Sequence, residues 1–363
     1  MVNQENFRFI QTLKAELRHK QLRFRKPAKT SRDVLTVRNV FYILLKDESS
    51  GVTGIGECAP IKGLSDDYDE RYFEKLSSLF DPEISFENWC EILNTNSSIL
   101  FGLETALYDF QNRGTRTIFH SDQPIAIPIN GLVWMNGHEQ MLHEAFDKIN
   151  SGFKCIKLKV GGLDFDDELS ILRSIRSKFS ADEITIRLDA NGAFDETNAL
   201  SKLNALAEFD IHSIEQPIKA GKYDEMATIV SKSPIKIALD EELIGIHRQL
   251  DKLEMLRKIK PHFIILKPTL HGGIQGSDQW IDIARSLGIE WWATSALESN
   301  IGLNAIAQWV YDKHPVIEQG LGTGSLFEYN IPSPIKIESG RLTYDHRQTW
   351  DVSKIEDSKS AWL

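Results

Sequence analysis

Cysteine is scarce in this 363-residue chain: Cys58, Cys90 and Cys155 are all it has, widely spaced and odd in number. That argues against a disulfide framework and against a cysteine-ligated zinc site. Long apolar runs are missing too, so no membrane span is expected. Positive charge is in deficit, with 42 Lys and Arg against 52 Asp and Glu and a net charge of −10. Such a chain has no general attraction for nucleic acid or anionic lipid, and neither is expected as a partner. The opening Met1-Val2-Asn3-Gln4-Glu5-Asn6 lacks the basic-then-apolar layout of a secretory leader. A cytoplasmic location is therefore expected.

What is present is rhythm. From about residue 125 a short apolar run, a polar turn and a longer amphipathic segment recur. Candidate strands cover 125–133, 155–160, 183–190, 211–217, 236–241, 263–268, 289–296 and 316–321, with helices such as 165–179, 196–208, 247–258 and 277–287 between them. Strand-then-helix alternation predicts a parallel sheet, and eight strands predict closure into a TIM-type barrel. An open dinucleotide-binding sheet would carry a Gly-x-Gly-x-x-Gly turn, which Gly161-Gly162 does not supply. Residues 1–124 instead read as two strands followed by helices, an α+β capping domain. The barrel domain is expected over 125–324. A late hairpin around Gly340, in a tail spanning 325–363, is expected to return to the cap.

Polar residues collect at the predicted strand ends: Lys157 and Lys159, then Asp189, Glu215, Asp240 and Lys267. The steps from Asp189 are 26, 25 and 27 residues, one strand–helix unit each. In a parallel barrel the carboxyl ends of the strands carry the chemistry. Any one acid there is expected to face solvent or a helix, since charged residues are mostly exposed. Three on successive strands would repel one another unless a cation sits among them. An all-oxygen set suits Mg²⁺ or Mn²⁺, not zinc. Lys157 and Lys159, two apart, point to one face of their strand, or else one of them pairs with an acid at the rim. Two ammonium groups beside a cation lower each other's proton affinity, which favours a general base. Lys267 lies across the metal positions as a counter-cation. Asn191 either positions a ligand or caps the turn after Asp189.

These residues resemble the enolase superfamily, in which a lysine or histidine base works beside Mg²⁺. The pattern Lys157-x-Lys159, Asp189, Glu215, Asp240, Lys267 is similar to its muconate-lactonising-like subgroup. Segments such as Ile156-Lys157-Leu158-Lys159-Val160-Gly161, Leu266-Lys267-Pro268-Thr269-Leu270 and Gly320-Leu321-Gly322-Thr323-Gly324 look most like the o-succinylbenzoate synthase family. The resemblance implies a (β/α)7β barrel under an α+β cap. It implies a small carboxylate substrate, 2-succinyl-6-hydroxy-2,4-cyclohexadiene-1-carboxylate, and its syn dehydration in menaquinone synthesis. By the same resemblance Lys159 is the base, Lys157 tunes it and Lys267 stabilises the intermediate. Asp189, Glu215 and Asp240 hold Mg²⁺, while Ser295, Ser299, Gly322 and Thr323 hold the succinyl arm. Dipeptide epimerases of the subgroup carry an Asp-x-Asp pair on the eighth strand, which Gly320 to Gly324 lacks. The competing readings are an N-succinylamino-acid racemase and a noncatalytic ligand-binding barrel.

Four further features have plainer readings. The basic run from His19 to Arg32 is a solvated loop or a mobile lid. The segment from Cys58 to Leu64 resembles a second capping loop that faces substrate. Trp291 and Trp292 must face opposite sides of a strand, and His271-Gly272-Gly273 reads as a turn.

Overall fold

In the computed structural model, which describes residues 2–29, 34–119, 124–345 and 347–356, the cap is built on an antiparallel sheet. Its strands β1 (Lys14–Lys29), β2 (Val34–Asp47) and β3 (Val52–Cys58) lie in that order, after the short helix α1 (Gln4–Ile10). Helices α2 (Tyr72–Ser78), α3 (Phe86–Thr95) and α4 (Ser97–Gln111) follow. Alternation along β2 buries both faces of this sheet. Ile43 and Leu45 pack with Leu76, Trp89 and Leu103 of the cap helices. Val40, Tyr42 and Leu44 pack with Leu297, Ile301 and Phe327. One side of the sheet is thus the cap's own core and the other is its seat on the barrel.

The basic run corrects one expectation. Residues from His19 to Lys29 are not a loop but most of β1, paired with β2 and shifted in register between Arg23 and Ala28. Leu22, Phe24 and Ala28 point inward and are buried. Arg32, at the end of the run, lies outside the described residues.

The barrel alternates β5 (Gly131–Val133), α5 (His138–Asn150), β6 (Cys155–Lys159), α6 (Phe165–Arg176), β7 (Thr185–Asp189), α7 (Ala199–Leu206) and β8 (Ser213–Glu215). It continues with α8 (Tyr223–Lys232), β9 (Ile237–Leu239), α9 (Gln249–Ile259), β10 (Phe263–Leu266), α10 (Gly273–Ser286), β11 (Glu290–Ala293) and α11 (Asn300–Asp312). These seven parallel strands hydrogen-bond in sequence order. Closure comes from Gln319 and Gly320, which bridge in parallel to Ile129 on one side and Thr294 on the other. The expected eighth strand is therefore only a two-residue stave, and Val316 at its predicted start is almost fully exposed. Outward positions such as Ile156, Leu158, Ile186, Leu188, Ile214, Ile264 and Leu266 join the core shared with the helices. Inward, Ala238, Phe263, Ile265 and Trp292 plug the barrel. Trp291 faces out against Trp309 of α11, with ring centroids 5.8 Å apart.

Two boundaries also differ from expectation. The predicted 125–133 strand breaks at Pro128, which has no N–H to continue a ladder. Its first half is β4 (Ile125–Pro128). The late hairpin, β12 (Ile335–Glu338) and β13 (Arg341–Tyr344), pairs with β4 rather than with the cap sheet. The cap is reached instead by the segment before it, where Phe24 bridges Phe327, and by α12 (Ser353–Glu356), where Lys20 Nζ donates to the Lys354 carbonyl at 3.0 Å.

Candidate active site

Strand register assembles the polar ends. Lys159 on β6 is the Cα partner of Asp189 on β7, which is the partner of Glu215 on β8. Asp240 and Lys267 follow the last residues of β9 and β10. Counting staves from β5, β6 is the second of eight and β10 the sixth, so Lys159 and Lys267 stand on opposite sides of the barrel. Asp189, Glu215 and Asp240 occupy the arc between them, each 1% exposed.

The contacts are ion pairs. Lys159 Nζ lies 2.6 Å from Asp189 Oδ2 and 2.7 Å from Asn191 Oδ1. Lys157 Nζ lies 2.8 Å from Glu215 Oε2 and 3.4 Å from Asp189 Oδ2. Lys267 Nζ donates to Asp240 Oδ1 at 2.6 Å. Both lysines of β6 thus face inward and share Asp189, which removes the alternative of a rim pairing. Asn191, at φ +45°, also donates from Nδ2 to Glu241 Oε1 at 3.0 Å. Its side chain braces Lys159, and its own N–H donates to Asp189 Oδ1 at 3.1 Å in the turn.

The proton affinities follow from this packing. Burial alone would lower the Lys157 ammonium, but Glu215 and Asp189 outweigh it and hold it above its ordinary value. Lys267 is likewise raised, by Asp240 and Glu215 acting against burial. Asp189 is held low by Lys159 and Lys157 against the upward push of burial. Glu215 is pushed up to about 8 by burial and by the neighbouring Asp189 charge.

A cavity of about 320 Å³ opens over these residues, the size of a small organic ligand. Lys157, Lys159, Asp189, Asn191, Glu215 and Lys267 form its floor. Leu35 from β2, Ile61 and Leu64 from the cap loop, and Leu132, Trp134 and Leu270 from the barrel make the rest largely apolar. The loop after Cys58 therefore does face the cavity. Ser295, Gly322 and Thr323 line it, and Thr323 Oγ1 donates to Ser295 Oγ at 2.7 Å. Ser299 does not line it: its N–H donates to Glu57 Oε1 at 2.7 Å and its hydroxyl to Glu57 Oε2, at the start of α11. Leu35 and Leu270 gave no signal in the sequence, since an apolar residue facing a ligand looks the same as one facing a core.

The donor set suits a divalent cation. Three buried carboxylates offer only oxygen, and Glu215 Oε1 is buried without a hydrogen-bond partner. Among the described residues no three acidic, histidine or cysteine side chains already stand at coordination spacing, because each acid leans on a lysine. Relief of that pairing is what a cation of higher charge would provide.

An eight-stave barrel with acids and lysines converging at its strand ends, under an α+β cap, defines a class of barrel enzyme. Residues 140–348 match the family model described as enolase C-terminal domain-like. The chain belongs to the enolase superfamily, in its muconate-lactonising-like subgroup. It is 40% identical to the o-succinylbenzoate synthase of Desulfotalea psychrophila over 90% of this chain and 97% of that one. The crystal structure of MenC from Desulfotalea psychrophila superposes with a TM-score of 0.77 at 36% identity, covering 91% of this chain and 99% of that one. A dipeptide epimerase from Cytophaga hutchinsonii, solved with Mg and a dipeptide, gives a TM-score of 0.80 at 23% identity over 95% and 97% of the two chains, a likeness of fold.

Proposed function

We propose that this protein is an o-succinylbenzoate synthase, a metal-dependent carbon–oxygen lyase that dehydrates 2-succinyl-6-hydroxy-2,4-cyclohexadiene-1-carboxylate. The observation that carries this reading is the placement of Lys159 and Lys267 across one cavity, with three buried acids between them. The 40% identity to a curated o-succinylbenzoate synthase selects the reaction among those the scaffold supports. The working division is a catalytic barrel over 125–324 under a cap of 1–124, with the hairpin of the following tail carried on β4.

In this reading the substrate's ring carboxylate lies on the floor and its apolar ring under Leu35, Ile61 and Leu64. Lys159 Nζ takes the proton from the carbon next to the carboxylate, and Lys267 faces the negative charge that spreads into it. The same Lys159 ammonium then gives its proton to the departing hydroxyl on that face. One C–H and one C–O bond break, one C=C bond forms, and water and an aromatic ring result. Asn191 holds the lysine in line, and Lys157 keeps a second positive charge beside it. Asp189, Glu215 and Asp240 would hold Mg²⁺ (or Mn²⁺). When bound, the ion would neutralise the three acids and would polarise the substrate carboxylate. The succinyl arm lies toward Ser295, Gly322 and Thr323. No helix among the described residues is long and apolar enough to cross a membrane.

The test is incubation with the cyclohexadiene carboxylate, with and without Mg²⁺, while following the aromatic product. Turnover is expected only with the metal, and Lys159→Ala should abolish it while keeping the wild-type circular dichroism. Near-normal turnover in that variant would remove Lys159 from its role. The opposed lysines also favour a second activity, racemisation of N-succinylamino acids. Exchange of the α-hydrogen from both enantiomers into deuterated water would reveal it, and exchange from neither would refute it.

A further inference from the structure

Arg38 is a buried arginine of the cap that the chemistry above does not use. It sits on β2 with 4% of its surface exposed and does not line the cavity. Its guanidinium donates to four backbone carbonyls, one of them that of its chain neighbour Asn39 at 3.5 Å. Nη1 reaches Pro60, and Nη2 reaches both Ala59 and, at 3.1 Å, Ala296. Ala59 and Pro60 open the cap loop whose next four residues, 61–64, line the cavity. Ala296 belongs to the loop after β11, where residues 294–297 line the same cavity from the barrel side. One side chain therefore ties two walls that come from opposite parts of the chain. The planar five-donor fork of arginine suits acceptors spread over separate segments in this way, where a lysine is a point charge.

The charge is supported in place. Burial weakens the guanidinium's hold on its proton, and the buried Glu298 and Glu57 carboxylates oppose that weakening. Both acids are engaged with the same barrel loop. Glu298 accepts from Ser295 Oγ at 2.6 Å and from Thr269 Oγ1. Glu57 accepts from the backbone of Ser299 and, at 2.8 Å, from Gly302. Arg38 thus lies at the centre of a polar seam between cap and barrel, just behind the cavity wall.

We propose that Arg38 is a positioning residue that clamps the cap loop at 59–64 to the barrel loop at 294–297, setting the closed shape of the cavity and its affinity for substrate. The kinetic part rests on the dehydratase reading; the clamp itself does not. The full-length Mg²⁺-loaded enzyme is compared with Arg38→Met, which keeps the bulk and removes the donors, and with Arg38→Lys, which keeps the charge but not the fork. KM for the cyclohexadiene carboxylate should rise at least about tenfold in Arg38→Met, with kcat within about threefold, because a loosened wall removes binding common to ground and transition states. Arg38→Lys should fall between. Amide hydrogen exchange should speed up at both 61–64 and 295–297 while 155–159 stays protected, a pattern that general destabilisation would not give.

Unchanged KM, or a kcat that falls as far as kcat/KM, would overturn the proposal. If Arg38→Met fails to fold, the same comparison is read from Arg38→Lys, where wild-type KM and wild-type protection would be fatal. If wild-type protein shows no turnover, the dehydratase reading fails by itself. Exchange then decides the clamp alone, and undisturbed protection of either loop in the variants would refute it.

Discussion

The lysine–carboxylate contacts carry the chemical argument residue by residue. An acid buried to 1% exposure needs a partner, and each of the three has a lysine within hydrogen-bond range. In the proposed function a divalent cation replaces those lysines as the main partner of the acids. Asp240→Asn or Glu215→Gln should therefore weaken Mn²⁺ binding by at least about tenfold, a loss of roughly 1.4 kcal/mol or more. Electron paramagnetic resonance of free Mn²⁺ would measure it, and unaltered affinity would exclude those side chains as ligands. The charged residues of this site were legible because their types and their 25- to 27-residue spacing are unusual at the ends of apolar strands. Ser299 was misplaced for the opposite reason: a serine beside a helix start reads the same whether it meets a ligand or an acid such as Glu57.

Secondary-structure elements were legible wherever periodicity was unopposed. The barrel strands and helices appear near their expected places, with shorter ends. β1 was missed because its dense basic outer row masked the inward alternation of Leu22 and Phe24. The packing of β3 on α4 was invisible in the sequence, since it rests on two glycines far apart in the chain. A Cβ at Gly56 would meet the Gly102 carbonyl oxygen at 1.9 Å, and one at Gly102 would meet Cys58 Sγ at 2.2 Å. Gly56→Ala should therefore destabilise the protein by roughly 1–3 kcal/mol in urea unfolding. A midpoint equal to wild type would show that the two elements separate freely.

Helix α10 supplies a pH prediction at the same scale. Glu104 of α4 accepts from the N–H groups of Ile274 at 2.6 Å and Gln275 at 3.2 Å, so a cap residue closes the start of a barrel helix. Burial pushes its carboxyl up to about 8 from the ordinary 4.5. A raised acid binds its proton more tightly in the folded state, so its stabilising contribution is complete below about pH 4.5 and is lost as pH rises through about 8. Glu104→Gln carries no such titration. Its urea midpoint should climb relative to wild type as pH increases across that window, and a constant difference would show that Glu104 does not titrate there.

At the scale of the whole molecule, cap and barrel together wall the cavity: Leu35, Ile61 and Leu64 come from one, and the lysines with Asp189 and Glu215 from the other. The overall architecture was legible from the strand–helix alternation and from a tail with no further strand–helix unit. The joint between the parts was not, because Arg38, Glu57 and Glu104 are isolated charges with no local pattern. A cation that binds only the folded chain stabilises it by mass action. The thermal midpoint should therefore rise with Mg²⁺ concentration in wild type and stay flat in Glu215→Gln. The most direct test of the central claim is a crystal grown with Mn²⁺ and o-succinylbenzoate, with anomalous scattering used to place the metal. One anomalous peak is predicted, touching Asp189, Glu215 and Asp240, with the bound carboxylate between Lys159 and Lys267. A peak elsewhere, or those three acids still paired only to lysines in the presence of the metal, would contradict it.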